Sequence, residues 1–299
     1  MQDFIKFLLI PMLIGATKYA GEFQELGVNA RAWAMGSTGV AQCVDASALY
    51  FNPAGTIFAG RSVAVMHAEN FGGIVKNEFG AITLPKGNSA VGLGLQYVSA
   101  GGIKLTTLPD TTMPPGSDNP PVAYDTVAAR DLIVYFNGAR SKGPVSYGVT
   151  AKVYYRDLYV ITGFGGGLDA GARLDLGYLV IGCSVRDVVL SPIVWSNRTK
   201  ENIAPKLAFG VAPVLPLDRI SSRLIIETDI VKAIDDNGFA VNIGCEYGYK
   251  ELVFGRIGWT RGTYTLGAGI RYRKLRFDYA FVTHSDLENS NKFSAGLEF

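Results

Sequence analysis

His284, Ser285 and Asp286 stand in a row, and these are the residue types of a nucleophilic hydrolase. Neighbours on a chain point in different directions, whereas a triad converges from separate elements, so the run does not by itself build a catalytic site. Gly163 to Gly167 read GFGGG, which suggests a phosphate cradle. The Lys-Ser/Thr ending and the following helix of such a cradle are missing, and the stretch reads as a flexible loop entering a strand. His67 and His284 are the only histidines, and two isolated imidazoles make a poor metal site. Cys43, Cys183 and Cys245 are odd in number and lack ligand spacing, so they read as small apolar packing residues. No cofactor and no metal are expected. Five charged residues, Arg173, Glu227, Asp229, Arg271 and Arg276, sit instead on the polar side of otherwise apolar segments. Charges in such places either pair with one another or line a path for a ligand.

The segments that carry those charges set the fold class. Hydrophobic residues make up 48% of the 299 and charged residues 18%, and the mean hydropathy is +0.19. Past the N-terminus no run approaches the roughly 18 apolar residues of a membrane helix. From Arg61 onward, segments of membrane-strand length alternate with a period of two. Val91, Leu93, Leu95 and Tyr97 share one face, with Gly92, Gly94 and Gln96 opposite. Val145, Tyr147, Val149, Ala151, Val153 and Tyr155 oppose Ser146, Gly148, Thr150, Lys152 and Arg156. Phe293, Ala295, Leu297 and Phe299 alternate with Lys292, Ser294, Gly296 and Glu298 up to the last residue. The pattern predicts an all-β chain, a transmembrane antiparallel barrel of about fourteen strands with its oily face in lipid. The strands are expected near 61–69, 76–84, 88–98, 130–139, 144–156, 164–174, 177–187, 204–214, 221–231, 238–248, 250–259, 264–273, 275–283 and 291–299. Aromatic residues near segment ends, among them Tyr154, Tyr155, Tyr159, Tyr247, Tyr249 and Trp259, suit interfacial girdles.

Loop lengths support the same reading. Links after even-numbered strands are short, and links after odd-numbered strands are longer, as in barrels with short periplasmic turns. The longest is the Pro-rich stretch between the third and fourth strands; the next runs from Val188 to Ile203. One segment, ELVFGRIGW, is ambiguous. An arginine facing lipid costs about 2–4 kcal/mol at mid-membrane, so Arg256 is expected inward, with Leu252 and Phe254 touching the lumen. A net charge of +2 with interspersed signs gives no basic stripe, so nucleic acid is not an expected partner.

The N-terminus differs. A lysine, about ten apolar residues and a small residue read as a secretory signal peptide over 1–20, cut after Ala20 or Ala16. Residues 21–60 do not alternate. They are rich in Ala and Gly, with a short helix expected near Asp45–Phe51 and stopped by Asn52-Pro53. A compact segment ahead of a barrel, itself residues 61–299, reads as a plug inside the lumen.

The stretch GVNARAWAMGSTGVAQCVDASALYFNPAG resembles the start of the PorV/PorQ family, a branch of the FadL-like outer-membrane barrels. The matching residues include Ala30, Arg31, Met35, Gly36, Asp45, Ala46, Ser47, Ala48, Tyr50, Asn52, Pro53, Ala54 and Gly55, and the C-terminal hairpin is also similar. The resemblance implies the bacterial outer membrane, an Asn-Pro-Ala plug that is structural or lies near a ligand, and a terminal Phe299 read by outer-membrane assembly machinery. It implies two roles: passage of hydrophobic small molecules, or assistance to exported proteins alongside type IX secretion components. A purely structural barrel and an outer-membrane hydrolase are the alternatives.

Overall fold

Alternating side chains can satisfy lipid on one face and water on the other only if the sheet has no open edge. A computed structural model describes residues 20–299 and shows how the edge is removed. The expected leader lies outside the described residues except for Ala20. The strands are β1 (Ser62–Asn70), β2 (Val75–Lys86), β3 (Ser89–Thr107), β4 (Val122–Lys142), β5 (Val145–Asp157), β6 (Thr162–Asp175), β7 (Leu179–Arg186), β8 (Ser191–Trp195), β9 (Lys200–Ile203), β10 (Lys206–Leu217), β11 (Ser222–Ala233), β12 (Ala240–Tyr249), β13 (Val253–Thr260), β14 (Thr263–Tyr272), β15 (Leu275–Val282) and β16 (Ser290–Glu298). Fourteen of them form a closed antiparallel barrel, as the alternation predicts; β8 and β9 are the two outside the ring. β1 pairs with β16, from Ser62 opposite Glu298, and β5 pairs with β6, so the ring has no free edge.

Register decides which face each side chain takes. Val91, Leu93 and Leu95 on β3 are about half exposed, whereas Gln96 is fully buried. On β16, Phe293 and Leu297 point outward and Lys292 is buried inward. Arg256 and Phe254 on β13 face inward as expected, and Val253 and Ile257 face outward. Leu252 does not follow: it is exposed in the turn ahead of β13, where the pleat no longer fixes its side.

Three loop expectations are corrected. The GFGGG run lies within β6, paired with β5 from Arg156 opposite Gly163 to Lys152 opposite Gly167. The stretch 188–203 holds the β8–β9 hairpin, with Ser191 opposite Ile203. β3 and β4 extend past their other neighbours as a two-stranded ribbon, with Thr107 opposite Val122, so only 108–121 link them. Tyr154, expected at the lipid interface, is fully buried inside, and its neighbour Tyr155 takes the outward position.

The short connections, such as those joining β2 to β3 and β4 to β5, lie at one end of the barrel together with Arg61 and Phe299. The long ones gather at the other. These are called below the short-turn end and the long-loop end.

Candidate functional site in the barrel lumen

Residues 20–60 lie against the inward side chains of the ring from one end to the other. Ala20 and Phe23 pack with Tyr154, Trp195 and Ile203 at the long-loop end. The Gly60 carbonyl accepts a hydrogen bond from Thr83 at the short-turn end. Between them are two short helices. Ala30–Ala34 is capped by Asn29, whose side chain accepts from the Ala32 amide. Ala48–Phe51 matches the expected helix and ends at Asn52. The Asn52 side chain accepts from the Ala54 amide and donates to the carbonyls of Val40 and Ala172, which joins the Asn-Pro-Ala turn to its own segment and to β6. Pro53 then starts a 3₁₀ turn, where its missing N–H costs nothing.

The wall is cut to fit this segment. A Cβ on Gly182 would stand 2.1 Å from the Val40 carbonyl oxygen, and one on Gly258 would stand 2.0 Å from the Gly36 amide nitrogen. Any side chain at either place would collide with backbone, so these inward glycines are contact surface for the segment.

Charge holds it further. Arg31 makes a two-pronged bond to Glu246, at 2.8 and 2.9 Å. Arg256 reaches Glu246 at 2.6 Å and Asp278 at 2.8 Å, and Arg276 reaches Asp278 at 2.8 Å. Three guanidinium groups thus share two carboxylates, and the Phe254 ring lies about as far from Arg256 as from Arg271 and Arg276, at 5.4, 5.7 and 5.3 Å. Near the long-loop end, Lys152 is buried between Asp169 (2.7 Å) and Asp187 (3.0 Å) and donates to Gln24. Glu25 bridges Arg186 (3.1 Å) and Lys206 (3.0 Å). Burial alone would raise the Glu25 carboxyl, but those two cations outweigh it and hold its pKa down at about 2. Lys292 donates to the Leu26 carbonyl and stands 4.3 Å from the Trp33 ring.

The residues singled out in the sequence are placed as follows. Asp45 accepts from Asn29 and from Ser47, and Ser47 is buried beside Cys43. The Tyr50 hydroxyl donates to the Gln24 carbonyl, and Pro53, Ala54 and Gly55 are buried in the turn. Glu227 and Asp229 are buried side by side on β11, but they do not pair with Arg173, Arg271 or Arg276, against the mutual pairing considered above. Glu227 accepts the amides of Ala41 and Gln42, and Asp229 those of Gly39 and Val40. The segment's own unsatisfied N–H groups compete for these oxygens at close range and take the place of a side-chain cation. Arg173 donates to the Ala41 carbonyl and meets Asp175. Arg271 lies at the short-turn end near Glu251, at 3.5 Å. Phe299 is exposed, and its amide bonds to the Arg61 carbonyl across the seam of the ring. His284 bonds Ser290 while Ser285 bonds Asp286, so the His-Ser-Asp run forms no relay.

The sequence pattern does not reveal Glu246, Lys152, Asp187 and Lys292 as partners of the segment, nor Glu25 as the segment's own anchor to Arg186 and Lys206. Alternation put Lys152, Glu246 and Lys292 on the wet side, and nothing in a period-two pattern says what stands across the lumen.

Several cavities border the segment, and two of them lie between its aromatic or charged side chains and the wall. One of about 190 Å³ opens toward the long loops, between Trp33, Tyr50, Phe51, Arg186, Asn242 and Thr260. The other, about 240 Å³, lies toward the short turns, between Arg31, Phe58, Arg271, Arg276, Asp278 and Ser294. Both are lined mostly by apolar surface; the first carries the rings of Trp33, Tyr50 and Phe51, and the second has more charged side chains, among them Arg31, Arg271, Arg276 and Asp278. Such clefts are of a size to hold a small molecule of one ring or a short chain.

No family model matches the sequence, and no curated protein matches it. Solved structures do. The P. putida toluene transporter TodX superposes with a TM-score of 0.62 at 12% identity, covering 91% of this chain and 99% of that one. The CymD monoaromatic hydrocarbon channel gives 0.62 at 11% identity, covering 92% and 98%. The chain therefore shares its fold with these barrels. A closed barrel with an apolar outer face is consistent with the bacterial outer membrane.

Proposed function

We propose that the protein is an outer-membrane channel for small hydrophobic molecules, with residues 21–60 acting as its plug. The observation that carries the reading is a pair of largely apolar cavities beside the segment, one toward each end of the barrel, the first with aromatic rings and the second richer in charged side chains. The likeness to hydrocarbon channels supports it at the level of fold. The short turns then face the periplasm and the long loops the exterior. A ligand enters the aromatic cavity from outside, passes the plug, and meets Arg271 and Arg276 on the periplasmic side. In this reading Asp45, Ser47, Tyr50 and the Asn52–Gly55 turn hold the plug's shape. Arg173, Glu227 and Asp229 anchor it to the wall, and Phe299 serves as the assembly signal. The barrel does no covalent chemistry.

The β3–β4 ribbon favours a second reading. It projects beyond neighbouring strands at the long-loop end and offers unpaired backbone to a protein. With the PorV/PorQ-like N-terminus, it supports a role alongside type IX secretion components and exported proteins. Two measurements separate the readings. Purified protein in liposomes should speed entry of toluene over protein-free liposomes, and deletion of 21–60 should change the rate. Liposomes that stay equally tight would overturn transport. Recovery of exported proteins from mild-detergent extracts of outer membranes would then favour the second reading.

A further inference from the structure

The β8–β9 hairpin differs from every other pair of strands. β7 and β10 are paired up to the rung Arg186–Lys206, and there the regular wall stops. Residues 187–190 on one side and Ala204–Pro205 on the other separate that rung from the hairpin. Asp187 takes a left-handed backbone, φ 54°, and Pro205 lacks an N–H, so neither chain can carry the ladder straight through. The hairpin pairs with the ring over three rungs, Gly163–Trp195, Phe164–Val194 and Gly165–Ile193, and Ser196 adds two hydrogen bonds to Thr162 at the start of β6. Glycine is needed there: a Cβ on Gly165 would stand 2.3 Å from the Pro192 carbonyl oxygen, and one on Gly163 would stand 2.8 Å from the Trp195 ring. The hairpin's inner residues, Ile193, Trp195 and Ile203, are buried against Ala20, Phe23 and Tyr154. The indole Nε1 of Trp195 is buried with no hydrogen-bond partner among the described residues. Glu25 clasps both residues of the last rung, Arg186 and Lys206.

We propose that the β8–β9 hairpin is a lid over the long-loop end of the lumen, closed here on the start of the N-terminal segment. It swings on two hinges, 187–190 and 204–205. The Arg186–Lys206 rung, tied to Glu25, is the fixed line beneath it. Lys152 with Asp169, Asp187 and Gln24 forms the latch, because it joins the wall, the first hinge and the segment in one buried cluster. Opening parts Trp195 and Ile203 from Phe23 and Ala20 and uncovers the start of the segment to ligand. The part of the lid in passage rests on the channel reading above; its motion does not.

The test uses the full chain in lipid, with Gly21→Cys and Ile203→Cys together. A Cβ built on Gly21 stands 3.9 Å from the Ile203 Cβ, within the span of about 3.5–4.5 Å that a disulfide bridges. Amide hydrogen exchange is followed in wild type, in the reduced variant and in the oxidised variant, with toluene entry measured alongside. Amides of 191–203 are expected to exchange at least tenfold faster than those of β7 and β10 in wild type. Oxidation should slow them at least tenfold and cut toluene entry by a similar factor, and reduction should restore both. Wild-type hairpin amides as slow as those of β7 and β10 would overturn the lid, whatever the transport result. Unchanged entry through the oxidised protein would overturn its place on the path. If wild type passes no toluene but its hairpin exchanges fast and is stilled by oxidation, the lid stands and the channel reading falls. Should the double variant not assemble, Gly165→Val is the second probe. It should speed exchange in 191–203 while leaving β11 to β16 unchanged, and an unchanged hairpin would again overturn the lid.

Discussion

The two faces of one wall are held by different physics. Outward residues such as Leu93, Leu95, Phe293 and Leu297 are interchangeable in kind: lipid asks only that they be apolar. Inward residues are tied to named partners. Glu246 holds Arg31 and Arg256, Glu227 holds two amides, and Gly258 makes room for one. The contrast teaches that stability on the outer face is a sum over area, whereas on the inner face it is a set of specific matches. A change that is mild outside can be severe inside, and the reverse.

Substitutions can break or sharpen that contrast. The largest effect is expected from Glu246→Leu, which leaves Arg31 without its carboxylate and Arg256 and Arg276 with Asp278 alone. A buried pair broken on one side costs about 3–5 kcal/mol. The urea midpoint of the reconstituted barrel should fall accordingly, with residues 21–60 becoming open to protease. Equal loss from an outward Leu95→Ile would erase the distinction between the faces. Next comes Leu95→Arg, expected to cost about 2–4 kcal/mol if it lies near mid-membrane. Its readout is the same urea midpoint, but the segment should stay protected, because the damage is to the lipid face. Gly258→Val follows. Valine suits a strand better than glycine does, so a plain sheet would be unharmed or improved. Here the side chain strikes the segment, and overpacking should cost about 1–3 kcal/mol and unseat it. The smallest effect is from pH. The folded pKa of Glu25 is lowered to about 2, so its contribution is full above the ordinary carboxyl range, shrinks as pH falls below that range and is gone below about 2. Protease protection at residues 20–25 should therefore be full from pH 7 to about pH 5 and weaken progressively from there to about pH 2. Protection that does not change over that range would mean that Arg186 and Lys206 do not hold the carboxylate.

Much of the wall was legible beforehand because a strand has one strong rule. Alternation gave fourteen segments, and the ring has fourteen strands with limits within a few residues of those expected except at β3 and β4. The exceptions have reasons. The ribbon of β3 and β4 runs beyond the membrane span, where no apolar pattern marks a strand. β8 is too short to show a period, and GFGGG hides one because glycine has no side chain to alternate. Leu252 was misplaced because a turn breaks the pleat. Within the segment, Asn52-Pro53 marks a helix stop in the sequence, whereas Asn29 ahead of Ala30–Ala34 is a capping signal for a helix too short to show a period.

Sequence alone determined the class of solvent on each side of the wall, the number of staves and the odd character of residues 21–60. Those properties are local: a period of two needs only the residues beside it. The tertiary structure decided that Glu227 and Asp229 serve amides instead of arginines, that Arg31 finds Glu246 across 215 positions of chain, and that the β8–β9 hairpin pairs with β6 and packs against Phe23. Partners brought together by ring closure leave no mark on their neighbours in the chain, and only the closed barrel chooses among them.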